Sequence, residues 1–173
     1  DGENVVQLEN AGRARVFGWE AEMRYWLGPE LGWFGLPQDH IFTSGDAMSI
    51  FANAAWTHGD NQSDKVPLDR IPPLMVNAGL RYEAGRGMYY LEPSVEIADK
   101  QDRYGPGAAS DVRFMKPDTA GYALCHLAAG WQPNNHLNLR LAVRNIANKD
   151  YQVLGSGVFG SGTDVRLSAE LRW

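Results

Sequence analysis

The histidines are the residues of this 173-residue sequence with the most versatile chemistry, and they are His40, His58, His126 and His136. Imidazole binds metal ions when histidines, cysteines or carboxylates stand at ligand spacing on one face of an element. Three of the four fall in or beside predicted turns, and His126 faces the polar side of a predicted strand. Because no pair has ligand spacing, we expect structural or solvated histidines, and neither a metal ion nor a cofactor.

Paired carboxylates could instead perform acid–base catalysis. Glu20 and Glu22 share a face of one alternating segment, and Glu92 and Glu96 share a face of another. Arginines occupy the same side of these and other segments: Arg24, Arg81, Arg140, Arg144, Arg166 and Arg172. Charges of both signs along one face are typical of an interior that holds water or packs against a further segment. No Gly-x-Ser-x-Gly nucleophile motif is present, so we expect no catalytic residue and no enzyme.

The composition narrows the class of protein. With 21 acidic and 16 basic residues the net charge is −5, which argues against a nucleic-acid surface. No run of 18 apolar residues occurs, so a transmembrane helix is excluded. The single cysteine, Cys125, allows no internal disulfide.

What positions the charged residues is a strict alternation of apolar and polar side chains. The last ten residues place Val165, Leu167, Ala169, Leu171 and Trp173 on one face, with charged residues on the other. Similar segments span 15–27, 48–58, 74–83, 89–99, 122–131 and 136–145, and 4–8 resembles the stub of a further strand. Pro93 lacks an N–H and predicts a bulge or a locally unpaired position. We therefore predict an all-β antiparallel meander of seven or eight long strands.

The connections between these segments alternate in length. Short turns at 83–88 and 131–136 are rich in Gly, Pro and Asn, whereas 57–72, 100–119 and 149–162 are long polar loops. The segment 28–46 is a long insertion that falls on the short side. In the long loops we expect exterior contacts to a ligand, from Arg103, Tyr104, Arg113, Phe114 and Tyr151.

Large aromatic side chains recur near the ends of the predicted strands. Trp and Tyr suit a water–lipid boundary, and strands of about ten tilted residues cross a bilayer. We therefore predict a transmembrane β-barrel in contact with outer-membrane lipid. The expected interface girdle consists of Trp26, Trp56, Tyr82, Tyr89 and Trp131.

Several motifs, taken in order, resemble the C-terminal part of the barrel of TonB-dependent outer-membrane receptors. They are 9–22 (ENAGRARVFGWEAE), 67–73 (PLDRIPP) followed by 79–82 (GLRY), 118–122 (DTAGY) and 141–151 (LAVRNIANKDY), completed by the terminal aromatic residue. Each is a weak pattern alone, but together they cover nearly the whole chain.

The resemblance implies a 22-stranded barrel around a plug that contacts TonB, in the outer membrane of a Gram-negative bacterium. The sequence shows no plug and no TonB box, so residues 1–173 are expected to form a C-terminal sector of such a barrel. The implied function is uptake of a scarce nutrient such as an iron chelate (siderophore). In that scheme Val165, Leu167, Ala169, Leu171 and Trp173 form the signal read by the barrel-assembly machinery.

Two other functions stay open at this point. A complete eight-stranded outer-membrane barrel would act as an adhesin or a lipid-acting enzyme, although 4–8 is too short to cross a bilayer. A soluble carbohydrate-binding sandwich would use exposed aromatic residues as platforms for sugars. The sequence does not identify the transported ligand.

Overall fold

One antiparallel sheet makes up nearly all of the computed structural model, which describes residues 12–27 and 45–173. Its strands are β1 (Ala14–Leu27), β2 (Ala47–Asn61), β3 (Val66–Pro67), β4 (Met75–Ala84), β5 (Tyr89–Ala98), β6 (Tyr122–Asn134), β7 (Leu137–Arg144) and β8 (Asp164–Leu171). A short helix, α1 (Pro106–Ser110), is the only helix in the described part of the chain. Each long strand pairs with the next long strand, and β3 pairs with β2, so the predicted meander is confirmed.

The sheet is open. Within the described residues, β1 and β8 lie at its two edges and do not pair with each other. The seven long strands contain 8 to 15 residues each, and each overlaps one of the seven alternating segments of the sequence. The predicted stub at 4–8 and most of the insertion at 28–46 lie outside the described residues. The described strands therefore form a sector of a barrel, not the closed eight-stranded ring of the alternative reading.

The register carries the alternation across the whole sheet. One face is built from rows such as Tyr25–Ile50–Leu80, in which directly paired residues are all apolar. The other face contains rows such as Asn53–Asn77 and, one strand on, Glu96. We call these the apolar face and the charged face.

Proline at position 93 interrupts the ladder without shifting it. Pairing between β4 and β5 runs to Gly79–Ser94 and resumes at Tyr82–Leu91 in the same register, whereas Pro93 still pairs with Leu127 on β6. Since proline has no N–H to donate, the gap lies on one side of β5. Of the two outcomes expected from the sequence, the locally unpaired position is confirmed.

Short turns and long loops lie at opposite ends of the sheet. The β4–β5 and β6–β7 turns occupy one end, and loops 99–121 and 145–163 occupy the other, which we call the rim. The small buried core lies at the rim, on the charged face, and comprises Ala98, Tyr122 and Leu124 with Met75 and Tyr151 packed against them. No helix in the described part of the chain is long and apolar enough to span a membrane.

Candidate functional site at the rim of the charged face

Two rim loops fold over the end of the charged face and pack on each other. We call residues 99–121 the first rim loop and residues 145–163 the second rim loop. The rings of Tyr122 and Tyr151 lie 4.9 Å apart, which places the second rim loop against the sheet. Phe114 of the first rim loop is only 4% exposed, and Gly157 N donates to Arg113 O at 3.2 Å. The loops thus cover the charged face as one packed unit.

Asn145 organises the second rim loop. It is 2% exposed, and its side-chain amide donates to the carbonyls of Lys149 (2.8 Å) and Ser161 (3.1 Å). Its backbone N–H donates to His126 Nδ1 at 3.2 Å, and its carbonyl accepts from the Thr163 hydroxyl at 3.0 Å. A buried amide is stable only when such partners are supplied. The beginning and end of the loop are therefore joined through one side chain.

The segment 67–73 holds the first rim loop from below. Asp69 Oδ1 accepts from Ala108 N at 2.9 Å, at the start of α1. The carbonyl of Ile71 accepts from the Gln101 side-chain amide at 2.7 Å. Between them Arg70 adopts a left-handed backbone with φ 61°, which is uncommon for a residue with a side chain.

Asp111 lies between two guanidinium groups. Arg113 donates to both of its carboxylate oxygens, with Nη2 at 2.6 Å from Oδ2 and Nε at 2.9 Å from Oδ1. Arg70 Nη2 lies farther away, at 3.5 Å from Oδ2. Hydrogen bonds from Arg113 hold the pKa of the Asp111 carboxyl well below its usual range, with a smaller contribution from the charge of Arg70. The Asp111 carboxylate thus contacts both Arg113 and Arg70, and Arg113 is the closer partner.

The residues predicted to contact a ligand are engaged inside the rim. Tyr104 hydrogen-bonds Thr119 at 2.5 Å and packs edge-on against Phe114 at 5.4 Å. Tyr151 packs on Tyr122, and the Arg113 guanidinium forms a salt bridge with the Asp111 carboxylate, as described above. The structure brings these four together in the loop packing, so whether any of them also touches a ligand stays a prediction.

Arg103 lies apart from that group. Its Nη2 contacts Asp60 Oδ1 at 2.7 Å, and its Nη1 lies 2.8 Å from His58 Nδ1. His58 pairs with Phe17 of β1, and their rings lie 4.9 Å apart on the apolar face. Arg103 therefore ties the first rim loop to the outside of the sheet.

The described histidines have structural partners. His58 Nε2 lies 2.9 Å from Asp60, His126 accepts from the Asn145 N–H, and His136 Nδ1 lies 2.8 Å from the Arg172 carbonyl. His40 lies outside the described residues. Across residues 12–27 and 45–173, no three His, Cys, Asp or Glu side chains are grouped so that they could hold a metal ion.

Some arginines of the charged face form ion pairs with carboxylates, and others do not. Arg81 Nε lies 2.6 Å from Glu83, its Nη1 lies 3.0 Å from Glu92, and its guanidinium stands 3.9 Å from the centre of the Tyr90 ring. Gly130 makes room for that ring, because a Cβ there would overlap it. By contrast, two exposed arginines of β7, Arg140 and Arg144, form no ion pair within the described residues. Asp164 lies opposite Arg144 on β8, but its carboxylate is bound by Arg166 at 2.7 Å.

Near Arg144 the charged face and the second rim loop enclose a cavity of about 410 Å³. Its lining includes Ser94, Glu96, His126 and Arg166. The cavity lies between the strands and the loop, on the face where sequence alternation places the charges.

Aromatic residues on the apolar face gather toward its two ends. Trp56 pairs with Trp19 toward the rim, whereas Tyr89 stacks on Trp131 at the short-turn end, with ring centres 6.4 Å apart. Tyr82 pairs with Met48 at that same end. Trp26 pairs with Ser49 on the charged face and so does not share a face with the other four predicted girdle residues. The interface role of these five residues stays a prediction.

The expected assembly signal lies along the β8 edge. Val165, Leu167 and Leu171 pair with Val143, Leu141 and Leu137 on the apolar face, and Ala169 follows the same parity. Leu167 is 76% exposed, and Trp173 lies beyond the end of β8 with its side chain fully exposed. The alternation is as predicted, and the signalling role stays a prediction.

Two residues that organise the rim were not singled out from the sequence as functional. Arg70 belongs to the motif at 67–73, and Asn145 belongs to the motif at 141–151, where it directly follows Arg144. An asparagine at the end of a predicted strand was the available signal for Asn145. The partners of Arg70 come from a loop some forty residues away and left no local signal.

Comparisons with known proteins agree with this architecture. The family model described as "TonB dependent receptor-like, beta-barrel" matches residues 1–146. The copper transporter OprC superposes with a TM-score of 0.71 at 21% identity, and the FrpB iron transporter from Neisseria meningitidis (F3-3 variant) with 0.65 at 18%. The alignments cover 92% and 91% of this chain but only 24% of each transporter. The sequence matches no curated protein.

Proposed function

We propose a transport function for this chain, which belongs to the family of TonB-dependent receptor-like β-barrels. Members of this family are receptors and transporters in the outer membrane of Gram-negative bacteria. The family implies interaction with TonB and with a small-molecule ligand. In our proposal, residues 1–173 supply the C-terminal sector of the barrel wall and part of the exterior loops.

Membership of a larger barrel accounts for the two open edges of the described sheet. A spanning sheet must close, because unpaired edge groups find no hydrogen-bond partner in lipid. The chain spans about a quarter of the length of the transporters it superposes on. We infer that further strands on both sides complete the ring, and that the plug contacting TonB lies in the same receptor.

The apolar face suits the outside of a membrane barrel. Projected onto β4 through the strand register, Trp56 and Tyr89 lie ten residues apart. This separation corresponds to about 33 Å of strand at roughly 3.3 Å per residue. A strand tilt of about 40° reduces this to about 25 Å, the height of the apolar band of such barrels. We therefore place Trp56, Tyr82, Tyr89 and Trp131 at the two lipid–water interfaces, with the rim outside the cell and the short turns in the periplasm.

The observation that carries the substrate proposal is the pair of exposed arginines on the charged face, Arg140 and Arg144, which form no ion pair with any residue that the structure describes. A guanidinium is always charged, and its exposed donors bind carboxylates and oxyanions. Arg140 and Arg144 are four residues apart on β7, so both lie on the charged face, which is the enclosed side of the barrel in this proposal. We propose that they favour passage of an anionic ligand, such as a ferric siderophore chelate.

Uptake of radiolabelled iron chelates by whole cells tests this function in the intact receptor. Cells that carry the receptor should accumulate an anionic ferric chelate, and deletion of the receptor or of TonB should abolish accumulation. Replacing both arginines (R140Q with R144Q) should lower uptake of the anionic chelate by about tenfold, since each lost charge-assisted contact weakens binding.

The matched control is R15Q, because Arg15 lies on the apolar face over the Phe17 ring and not on the charged face. This variant should transport normally. TonB-independent uptake, or an equal loss in the control and the double variant at equal receptor levels, would count against the proposal.

A further inference from the structure

A second cavity of about 350 Å³ opens at the rim, separate from the one beside Arg144. It lies between the segment 70–73, the ends of β5 and β6, and the second rim loop. Its apolar lining includes Pro73, Met75, Ala98, Tyr122, Val153 and Leu154. A volume of this order and a mostly apolar wall are typical of small-molecule sites.

The polar groups of this cavity are nearly all engaged. The Thr119 hydroxyl bonds Tyr104, and the Gln152 side-chain amide donates to the Arg113 carbonyl at 3.4 Å. Asp99 Oδ1 accepts the Lys100 backbone N–H at 2.7 Å. These groups therefore have partners of their own within the described residues.

Arg70 is the exception. Arg70 lines the cavity, and its side chain is 62% exposed. The Asp111 carboxylate that stands 3.5 Å from its guanidinium is held closely, through both oxygens, by Arg113. Arg70 therefore keeps exposed guanidinium donors beside an apolar cavity whose one lining carboxylate is Asp99.

The backbone at Arg70 is also specially arranged. Its left-handed φ of 61° is costly for a residue with a Cβ, and such conformations persist when neighbouring contacts impose them. The hydrogen bonds made by Asp69 and Ile71 on either side supply those contacts. Strained residues held in this way concentrate at ligand-binding positions.

We propose that this cavity binds a small soluble organic anion, with an apolar aromatic or alkyl body against Met75 and Val153 and a carboxylate on Arg70. This inference rests on the proposed receptor function in one respect: the cavity would be the first place outside the cell where the transported ligand contacts the receptor. None of the five residues predicted from the sequence supplies its anion contact.

Binding to the purified full-length receptor in nanodiscs, without TonB, tests the site alone. The probes are 1-naphthoate and its uncharged analogue 1-naphthylmethanol, measured by isothermal titration calorimetry against empty nanodiscs. Naphthoate should bind the receptor more tightly than the alcohol. The R70Q variant should weaken naphthoate binding about tenfold or more and leave the alcohol unchanged, because one charge-assisted contact is lost.

Two further variants separate the site from general damage. V153W should fill the cavity and weaken both probes, and Val153 is 48% exposed, so the larger side chain need not enter the core. R86Q is the matched control, because Arg86 is also an exposed arginine with a left-handed backbone conformation (φ 58°). Arg86 lies in the β4–β5 turn at the opposite end of the sheet, so the R86Q variant should bind both probes like the parent.

Equal affinity for the two probes, or unchanged naphthoate binding in both R70Q and V153W, would overturn the site. Because these measurements need no transport, they can fail while TonB-dependent uptake persists. Conversely, intact probe binding in a receptor that takes up no iron chelate would overturn only the proposed function.

Discussion

Asn145 and Lys149 hydrogen-bond each other in both directions. The Asn145 side-chain amide donates to the Lys149 carbonyl at 2.8 Å, and its oxygen accepts the Lys149 backbone N–H at 2.9 Å. This reciprocal pair closes a tight turn directly after β7, and the same amide reaches Ser161 at the far end of the second rim loop. The loop that covers the charged face is therefore anchored at a single buried side chain.

Replacing Asn145 by alanine should destabilise the rim. The N145A variant loses three side-chain hydrogen bonds, to the Lys149 carbonyl, the Lys149 N–H and the Ser161 carbonyl, at a cost of about 2–3 kcal/mol. Limited proteolysis of the full-length receptor should show faster cleavage within 149–162. The control is N138A, since Asn138 of β7 has no hydrogen bond to another described side chain; cleavage at the parent rate in both variants would contradict the anchoring role.

The two faces of β8 should respond oppositely to a charge. Leu167 lies on the apolar face beside Leu141, and its neighbour Ser168 lies on the charged face beside Arg140. An arginine facing lipid costs about 2–4 kcal/mol at mid-membrane. L167R should therefore lower the folded, outer-membrane amount of the receptor on unheated gels, and S168R should lower it much less. A larger loss in S168R would contradict the sidedness of the sheet.

Loss of the terminal aromatic residue should impair assembly. Trp173 extends beyond β8 and makes no described packing contact, so its removal takes away little folding free energy. If the barrel-assembly machinery recognises Val165 to Trp173, as we propose, deletion of Trp173 should nevertheless sharply reduce receptor levels in the outer membrane. W173F should restore them. Normal levels in the deletion variant would remove this role.

The Asp111–Arg113 pair should make rim stability depend on pH only in strong acid. The pKa of the Asp111 carboxyl is lowered on folding from its ordinary value of 3.8, so its contribution is present above that value and is lost as the pH falls below it. The difference in unfolding temperature between the parent and D111N should be constant from pH 7 to about pH 5. It should shrink below about pH 3.8, and a difference that already shrinks near pH 6 would point to another group.

Much of the strand architecture could be predicted from the sequence. Side chains alternate along a strand with a period of two, so residues 164–171 report their two faces whatever their neighbours are. This local signal identified all seven long strands, and the missing N–H of Pro93 predicted an interruption of the ladder at that residue. By the same parity Trp26 lies on the charged face, opposite Ser49.

The rim was decided by tertiary structure alone. Arg113 and Phe114 look like exposed loop residues, but Gly157 of the second rim loop donates to the Arg113 carbonyl, and Phe114 is only 4% exposed in the packed loops. Similarly, the guanidinium of Arg70 keeps exposed donors because Asp111, some forty residues away along the chain, is bound more closely by Arg113. Strand faces depend on nearest neighbours along the chain and are therefore readable from it, whereas the partners in a loop depend on how distant segments meet in space.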